Sequence, residues 1–167
     1  FWSTGDARLL GTVASGAAWV GRPEFMLHDA IFAVPSGRAV QLWSQARRVK
    51  LSEFSAPKAW FAACACSPDG DLVAAGTTGG NIHLWSHDDG GRVASFPGHA
   101  QGIASMAFSP DGTRLASGSW SGKVKLWSVA ERSLEQALTD HGDWVNAVAF
   151  SPDGKTLATA SWDGTVH

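Results

Sequence analysis

The chain has 167 residues, of which 44% are hydrophobic and 17% are charged. This balance is typical of a soluble globular protein and argues against intrinsic disorder. The formal net charge of −2 at pH 7 provides no basic field for a nucleic acid or an anionic membrane. No apolar run approaches the roughly 18 residues of a membrane span. We therefore expect no membrane or nucleic-acid partner, and an intracellular, cytoplasmic protein.

Short apolar stretches alternate with turn residues along the chain. In chain order from residue 81 they include NIHLW, VASF, IASMAF, LASGS, KVKLW, LEQAL, VNAVAF and LATAS. Each has about the length of a β-strand and is bounded by Gly, Pro, Asp or Ser, and none is long enough for a stable amphipathic helix. The sequence therefore predicts an all-β fold.

Two short motifs recur in steps of 42 residues. The motif SPDG begins at Ser67, Ser109 and Ser151, and LWS begins at Leu42, Leu84 and Leu126. A period of this length indicates a solenoid or a propeller. In SPDG, Pro presets a turn, Asp bonds to the local backbone and Gly accepts a positive φ, so the motif predicts a hairpin. The repeat units are therefore 1–43, 44–85, 86–127 and 128–167. The first is degenerate, and the last stops before its Trp. Each unit is predicted to supply four antiparallel strands.

The strand before SPDG contains both cysteines of the chain, Cys64 and Cys66. One repeat later their positions are filled by Met106 and Phe108, which are core residue types. Side chains at i and i+2 of a strand lie about 7 Å apart, which is too far for a disulfide. We therefore expect both thiols to be buried, reduced and free of metal. The neighbouring small residue, Ala65, favours a position of this strand near the axis of a radial array.

Three in-phase copies of a longer pattern resemble the WD repeat. The pattern is an opening Gly-His, present at Gly98 and His99, followed by SPDG and by LASGSWSGKVKLW. The resemblance is strong over residues 60–167 and weak over 1–43. It implies a β-propeller segment of about four four-stranded antiparallel blades in an incomplete ring, each repeat supplying the outer strand of one blade and the inner strands of the next. Because such rings usually have about seven blades, we expect a segment of a larger protein or assembly.

The resemblance also implies a buried relay of hydrogen bonds that joins a His, a Ser or Thr, an Asp and the closing Trp. Such polar groups are costly to bury unless they satisfy one another. The residues assigned to it are His99, Ser119 and Trp127, then His141, Ser161 and Asp163, and in the second unit Thr77 and Trp85. The relay is incomplete: Pro57 stands at one His position, Gly79 at one Asp position, and Ser121 at another.

No catalytic constellation survives the alignment of the repeats. His141, Ser161 and Asp163 superficially resemble a catalytic triad, but they hold the relay positions. Residues 87–89, His-Asp-Asp, fall in a loop beside two glycines and are interpreted as a turn rather than a metal site. We therefore predict no catalytic, cofactor-binding or metal-binding residue, no cofactor, and a protein that is not an enzyme.

The chain contains nine tryptophans and no tyrosine. The closing position of the repeats is held by Trp2, Trp43, Trp85 and Trp127. Trp60 and Trp144 lie three places after the His position, and Trp120 and Trp162 lie immediately before the Asp position. The resemblance implies that these places border the top face, where partners most often bind, and exposed Trp is a frequent interface anchor. The predicted partner-binding face is Trp60, Trp120, Trp144, Asn146 and Trp162.

Alternatives remain open at this point. The four rings could instead pack over neighbouring loops as part of the fold. The leading functional interpretation is a non-catalytic scaffold that presents its top face to a protein or peptide within a larger complex. The alternative is a sensor or regulatory propeller domain of a larger signalling ATPase or kinase, although the chain holds no Walker or kinase motif. A ubiquitin-ligase receptor would favour Arg two residues after the Trp-Asp pair, where Ala46, Asp88 and Ala130 stand.

Overall fold

The computed structural model describes residues 3–6, 8–9, 12–26, 30–138 and 141–167. Trp2, assigned to a closing position, and His28, expected in a loop, lie outside them. The described residues form fourteen strands and no helix, which confirms the all-β prediction. Among them there is no helix long and apolar enough to cross a membrane.

The strands form four sheets that follow one another along the chain. The first contains β1 (Glu24–Phe25), β2 (Ile31–Ser36), β3 (Ala39–Ser44) and β4 (Val49–Ser55). The second contains β5 (Phe61–Cys66), β6 (Leu72–Thr77), β7 (Asn81–Ser86) and β8 (Arg92–Pro97). The third contains β9 (Ile103–Phe108), β10 (Arg114–Ser119), β11 (Val124–Ser128) and β12 (Ser133–Leu138). The fourth contains β13 (Val145–Phe150) and β14 (Leu157–Ser161).

Every sheet is an antiparallel meander, as expected for a propeller blade. The first three sheets have four strands, and the fourth has two, extended by a bridge between Ala160 and Val166. The outer strands β8 and β12 belong to the units 86–127 and 128–167 but pair with β7 and β11 of the preceding units. The second and third sheets are thus completed by the next unit, and the predicted β-propeller segment is confirmed.

The core lies between successive sheets. Trp85 is 2% exposed and packs among residues of the first sheet, whereas Trp127 is 5% exposed and packs among residues of the second. The closing Trp of each blade therefore faces the preceding blade. Trp43 also faces backward, where it packs with Phe32 and with Val13 of the segment that precedes β1. Stacking of sheets thus creates the hydrophobic core that no single sheet could enclose.

The strands that precede the SPDG turns lie next to one another across the sheet boundaries. β5, β9 and β13 contact one another in that order and line a cavity of about 380 Å³. The middle strands approach them closely: a Cβ built on Gly76 would lie 2.5 Å from Ile103, and one on Gly118 would lie 2.7 Å from Val145. This arrangement fits the expectation that the strands before SPDG are nearest the axis.

The SPDG turns have the predicted geometry. Ser109 Oγ and Ser151 Oγ each donate to the Asp two residues later at 2.6 Å. The Gly that ends each turn has a positive φ, 71° at Gly112, for example, and only Gly adopts this conformation without strain. The turns of successive blades also lie near one another, since a Cβ added at Gly112 would lie 3.5 Å from Pro68. The motif therefore shapes each hairpin and spaces neighbouring blades.

The two cysteines are free thiols at different depths. Cys64 is buried, as predicted, whereas Cys66, for which burial was also predicted, is only partly buried; both border the cavity. Burial raises the pKa of the Cys64 thiol, and it raises the pKa of Cys66 to about 12. Both side chains are therefore protonated and weakly nucleophilic at neutral pH.

Candidate functional site

The relay of the third unit runs through Ser117. Ser117 Oγ lies 2.7 Å from His99 Nε2 and accepts a hydrogen bond from Trp127 Nε1 at 2.9 Å. Burial lowers the pKa of His99 to about 4, so the imidazole that is hydrogen-bonded to the Ser117 hydroxyl is neutral at pH 7. The serine in this role is Ser117 and not the predicted Ser119. Ser119 Oγ lies 3.1 Å from Ser121 Oγ in the hairpin, beyond a shift in strand register.

The last unit shows the same displacement by two residues. His141 Nε2 lies 2.8 Å from Thr159 Oγ1, and its Nδ1 lies 3.1 Å from Asp163 Oδ2. The predicted Ser161 is not bonded to the imidazole, because its hydroxyl donates to the carbonyl of Asp143 at 2.9 Å. A serine held in this way is not poised as a nucleophile for His141. The set therefore lacks the geometry of a catalytic triad.

Asp163 is the acceptor at the centre of this unit. Its Oδ2 accepts the Gly142 amide at 2.8 Å, and its Oδ1 accepts the amide of Thr165 at 2.8 Å and its hydroxyl at 2.6 Å. These hydrogen bonds, led by that of the Thr165 hydroxyl, hold the pKa of Asp163 below its usual range. The carboxylate is thus ionised, and it fastens the final turn to the loop before β13.

The second unit has no relay. Thr77 Oγ1 accepts the amide of Asn81 at 2.9 Å and so belongs to a turn rather than to the predicted network. Trp85 instead packs among aromatic rings, with centroid distances of 5.5 Å to His83 and 5.6 Å to both Phe54 and Phe61. Aromatic packing therefore holds this tryptophan where hydrogen bonds hold Trp127.

A signal in the sequence could have located the relay hydroxyls. Ser117 and Thr159 each lie 18 residues after a His, at 99 and 141, whereas Ala75 lies 18 residues after Pro57. The hydroxyl is present where the His is present. In the first unit, the acceptor for the closing tryptophan is an amide oxygen: Trp43 Nε1 donates to Gln41 Oε1 at 3.2 Å.

Three of the predicted surface tryptophans form a continuous stack. Trp144 stacks with Trp120 at a centroid distance of 5.2 Å and with Trp162 at 5.1 Å, each pair inclined by 24°. Trp120 is half-buried, Trp144 is 39% exposed and Trp162 is 63% exposed. We refer to these three residues as the tryptophan stack.

The backbone positions the rings of the stack. Trp120 and Trp162 occupy the hairpins that follow β10 and β14, and Trp144 immediately precedes β13. The Trp162 amide donates to the Trp144 carbonyl at 3.0 Å, and the Trp120 amide donates to the Gly102 carbonyl at 2.9 Å. The hairpin residue of each blade is thereby tied to the loop before the inner strand of that blade. Along the stack, the rings therefore come in turn from a hairpin (Trp120), a loop (Trp144) and a hairpin (Trp162).

The remaining residues of the predicted face lie elsewhere. Trp60 is 45% exposed, and its ring is covered by the guanidinium of Arg38 at 5.7 Å, which the sequence did not single out. Asn146 is exposed but lines the cavity formed by the inner strands. Trp19, the tryptophan that holds none of these repeat positions, is also exposed. The structure therefore brings together three of the five predicted residues.

Acidic side chains lie beside the stack. In the part of the chain that the structure describes, no group of three or more His, Cys, Asp or Glu residues is placed to hold a metal ion. Asp143 and Asp163 adjoin the rings, and Asp143 Oδ1 accepts the amide of Trp144 at 2.7 Å. The site thus combines an apolar aromatic surface with acidic groups at its border.

Comparison with known families identifies the class of protein. The family described as WD domain, G-beta repeat matches residues 48–86, 90–128 and 132–167, which is more than half of the chain. The chain therefore belongs to the WD40-repeat family, as its motifs predicted. No curated protein matches the chain. WD40 repeats generally mediate protein–protein interactions and are typically non-catalytic.

Proposed function

We propose that this protein is a non-catalytic scaffold that binds a protein or peptide partner through the tryptophan stack. The observation that carries the proposal is a stack of three indole rings, of which Trp144 and Trp162 are exposed, on a backbone tied by hydrogen bonds between hairpins and loops. Contiguous exposed apolar surface on a folded protein usually marks an interaction site. Because the rings already restrain one another, a partner would order little on binding, which favours affinity.

The proposal includes a place for the protein in a larger complex. Consecutive blades present the alternating hairpin and loop positions along one row, so a partner can contact several blades at once. The free thiols of Cys64 and Cys66 favour a reducing compartment such as the cytoplasm. A regulatory domain of a signalling ATPase or kinase would use the same surface, and no contact in the described residues favours it over the scaffold.

A binding comparison between matched variants tests this proposal. Trp144→Ala removes the middle ring of the stack, whereas Leu134→Ala removes an apolar side chain that is 46% exposed on the outer strand β12. Partners captured by the tagged, full-length protein and verified with purified components should bind Leu134→Ala normally. They should bind Trp144→Ala about thirtyfold more weakly, the effect of an interface anchor worth about 2 kcal/mol. Equal affinities for both variants would overturn the assignment.

A further inference from the structure

The ring of Trp60 has one covered face and one open face. Arg38, from the hairpin between β2 and β3, lies over one face at 5.7 Å from the ring centroid. Trp60 is 45% exposed, and among the described residues no aromatic ring stacks on its other face. The loop that carries Trp60 joins two four-stranded sheets, so the hairpins on both sides of the ring are present. The open face is therefore a property of the second blade itself.

The repeat shows which kind of group fits this open face. Trp60 holds the same repeat position as Trp144, and Thr78 holds the same position as Trp162. The Thr78 amide donates to the Trp60 carbonyl at 2.8 Å, just as the Trp162 amide donates to the Trp144 carbonyl at 3.0 Å. Trp162 stacks on Trp144, whereas Thr78 presents no flat group to Trp60. The second blade thus has the backbone of the stack without its hairpin ring.

The space above this hairpin is open to solvent. Thr78 and Gly79 are exposed, and the nearest neighbour of a Cβ added at Gly79 would be 3.9 Å away. Trp120, on the hairpin of the next blade, leans over the loop before β9, where a Cβ added at Gly102 would lie 2.4 Å from the ring. A flat side chain from outside the chain can therefore rest on Trp60 above this hairpin.

The charged side chains around this space are basic. Arg38 lies on the covered face, Lys58 precedes Trp60 by two residues, and Lys123 belongs to the hairpin of Trp120; all three are exposed. The surrounding loops and hairpins contain no Asp or Glu; they comprise residues 37–38, 56–60, 78–80, 99–102 and 120–123. A surface bordered by charges of one sign favours a partner of the opposite sign.

We propose that the partner places an aromatic side chain on the open face of Trp60, above Thr78 and Gly79, with neighbouring carboxylates that offset the surrounding basic charge. This inference rests on the proposed function and specifies the chemistry of the partner, which is an acidic peptide segment containing an aromatic residue. An aromatic side chain is preferred to an aliphatic one because offset stacking of rings contributes beyond the burial of area.

The test uses the full chain with ¹⁵N-labelled tryptophan and three synthetic peptides. The first is acetyl-Glu-Phe-Glu-amide, the second replaces both Glu by Gln, and the third replaces Phe by Leu. The indole signal of Trp60, assigned from Trp60→Phe, should shift on addition of the first peptide, whereas the signal of the buried Trp127 should not. The Gln peptide should bind about two- to fivefold more weakly, the effect of exposed ion pairs. The Leu peptide should bind about two- to tenfold more weakly, the effect of one aromatic pair.

A matched pair of variants tests the place of the aromatic side chain. Thr78→Trp supplies an indole at the repeat position from which Trp162 covers Trp144, so it should abolish the response of Trp60 to the first peptide. Thr78→Ser leaves the face open and should bind like the original protein. Lys58→Gln should reduce the preference for the Glu peptide over the Gln peptide, because it removes one of the surrounding cations.

The outcomes separate this inference from the proposed function. If the three peptides bind equally, or if Thr78→Trp binds like Thr78→Ser, the proposal for Trp60 is overturned even where partner capture still requires Trp144. Normal partner capture by Trp144→Ala, with the peptide preferences at Trp60 intact, would contradict the role of the tryptophan stack and support this one. If sedimentation instead shows self-association that Thr78→Trp abolishes, the occupant is a second copy of the chain, and the proposal is overturned.

Discussion

At the residue scale, one position changes its chemistry from blade to blade while the closing tryptophan stays buried. Ser117 joins His99 to Trp127, whereas the equivalent Ala75 leaves Trp85 to aromatic neighbours. A buried indole N–H needs an acceptor. In the third blade this acceptor is Ser117 Oγ, which is also hydrogen-bonded to the His99 imidazole. The relay therefore stabilises the blade.

Substitution of the two candidate serines should separate their roles. Ser117→Ala leaves the Trp127 indole and the His99 imidazole without their shared partner, so the free energy of unfolding should fall by about 1–3 kcal/mol. Ser119→Ala removes only a contact within the hairpin and should cost about 1 kcal/mol or less. Urea unfolding of both variants measures the difference. A greater loss from Ser119→Ala would show that the relay has been placed at the wrong serine.

At the element scale, the distance between neighbouring blades depends on glycines in the middle strands. Gly118 in β10 faces Val145 at the start of β13, and Gly76 in β6 faces Ile103 in the same way one repeat earlier. A side chain at either position would push the next inner strand away. The repeat thus preserves the glycine that allows close contact between sheets, as well as the hydrophobic residues of the core.

A methyl group at this contact should loosen the stacking of the third and fourth sheets. Gly118→Ala would place Cβ 2.7 Å from Val145 Cγ1, and we expect a loss of about 1–3 kcal/mol in the free energy of unfolding. Gly142→Ala is the matched control, because its nearest neighbour would be 3.9 Å away. Guanidinium unfolding compares the two. A neutral Gly118→Ala would mean that the blades can shift without cost.

The repeat allowed the architecture to be predicted, because hydrophobic period and turn chemistry are local properties of the sequence. The strands and the SPDG hairpins followed from it, whereas the offset between units and sheets was implied by the resemblance to the WD repeat. The relay hydroxyl of Ser117 did not follow from the repeat, because a shift in register near Gly118 determines which hydroxyl faces the tryptophan. The cover of Trp60 by Arg38 was equally hidden, since the hairpin that carries Arg38 departs from the regular repeat.

At the scale of the whole molecule, the tryptophans divide into two populations with opposite environments. Trp85 and Trp127 lie between sheets and face the preceding blade. The tryptophan stack lies on the hairpins and loops that end the blades, and its exposure increases from Trp120 to Trp162. The first population holds the fold together, and we propose that the second binds a partner.

The free energy of unfolding of Trp127→Ala and Trp144→Ala tests this claim most directly. Truncation of a buried tryptophan costs about 3–5 kcal/mol, which approaches the whole stability of many domains, so Trp127→Ala should unfold or aggregate. Trp144→Ala should lose only about 1–3 kcal/mol, the worth of its two stacking contacts. If Trp144→Ala is destabilised as severely as Trp127→Ala, the stack belongs to the structural core, and its role as a binding surface is contradicted.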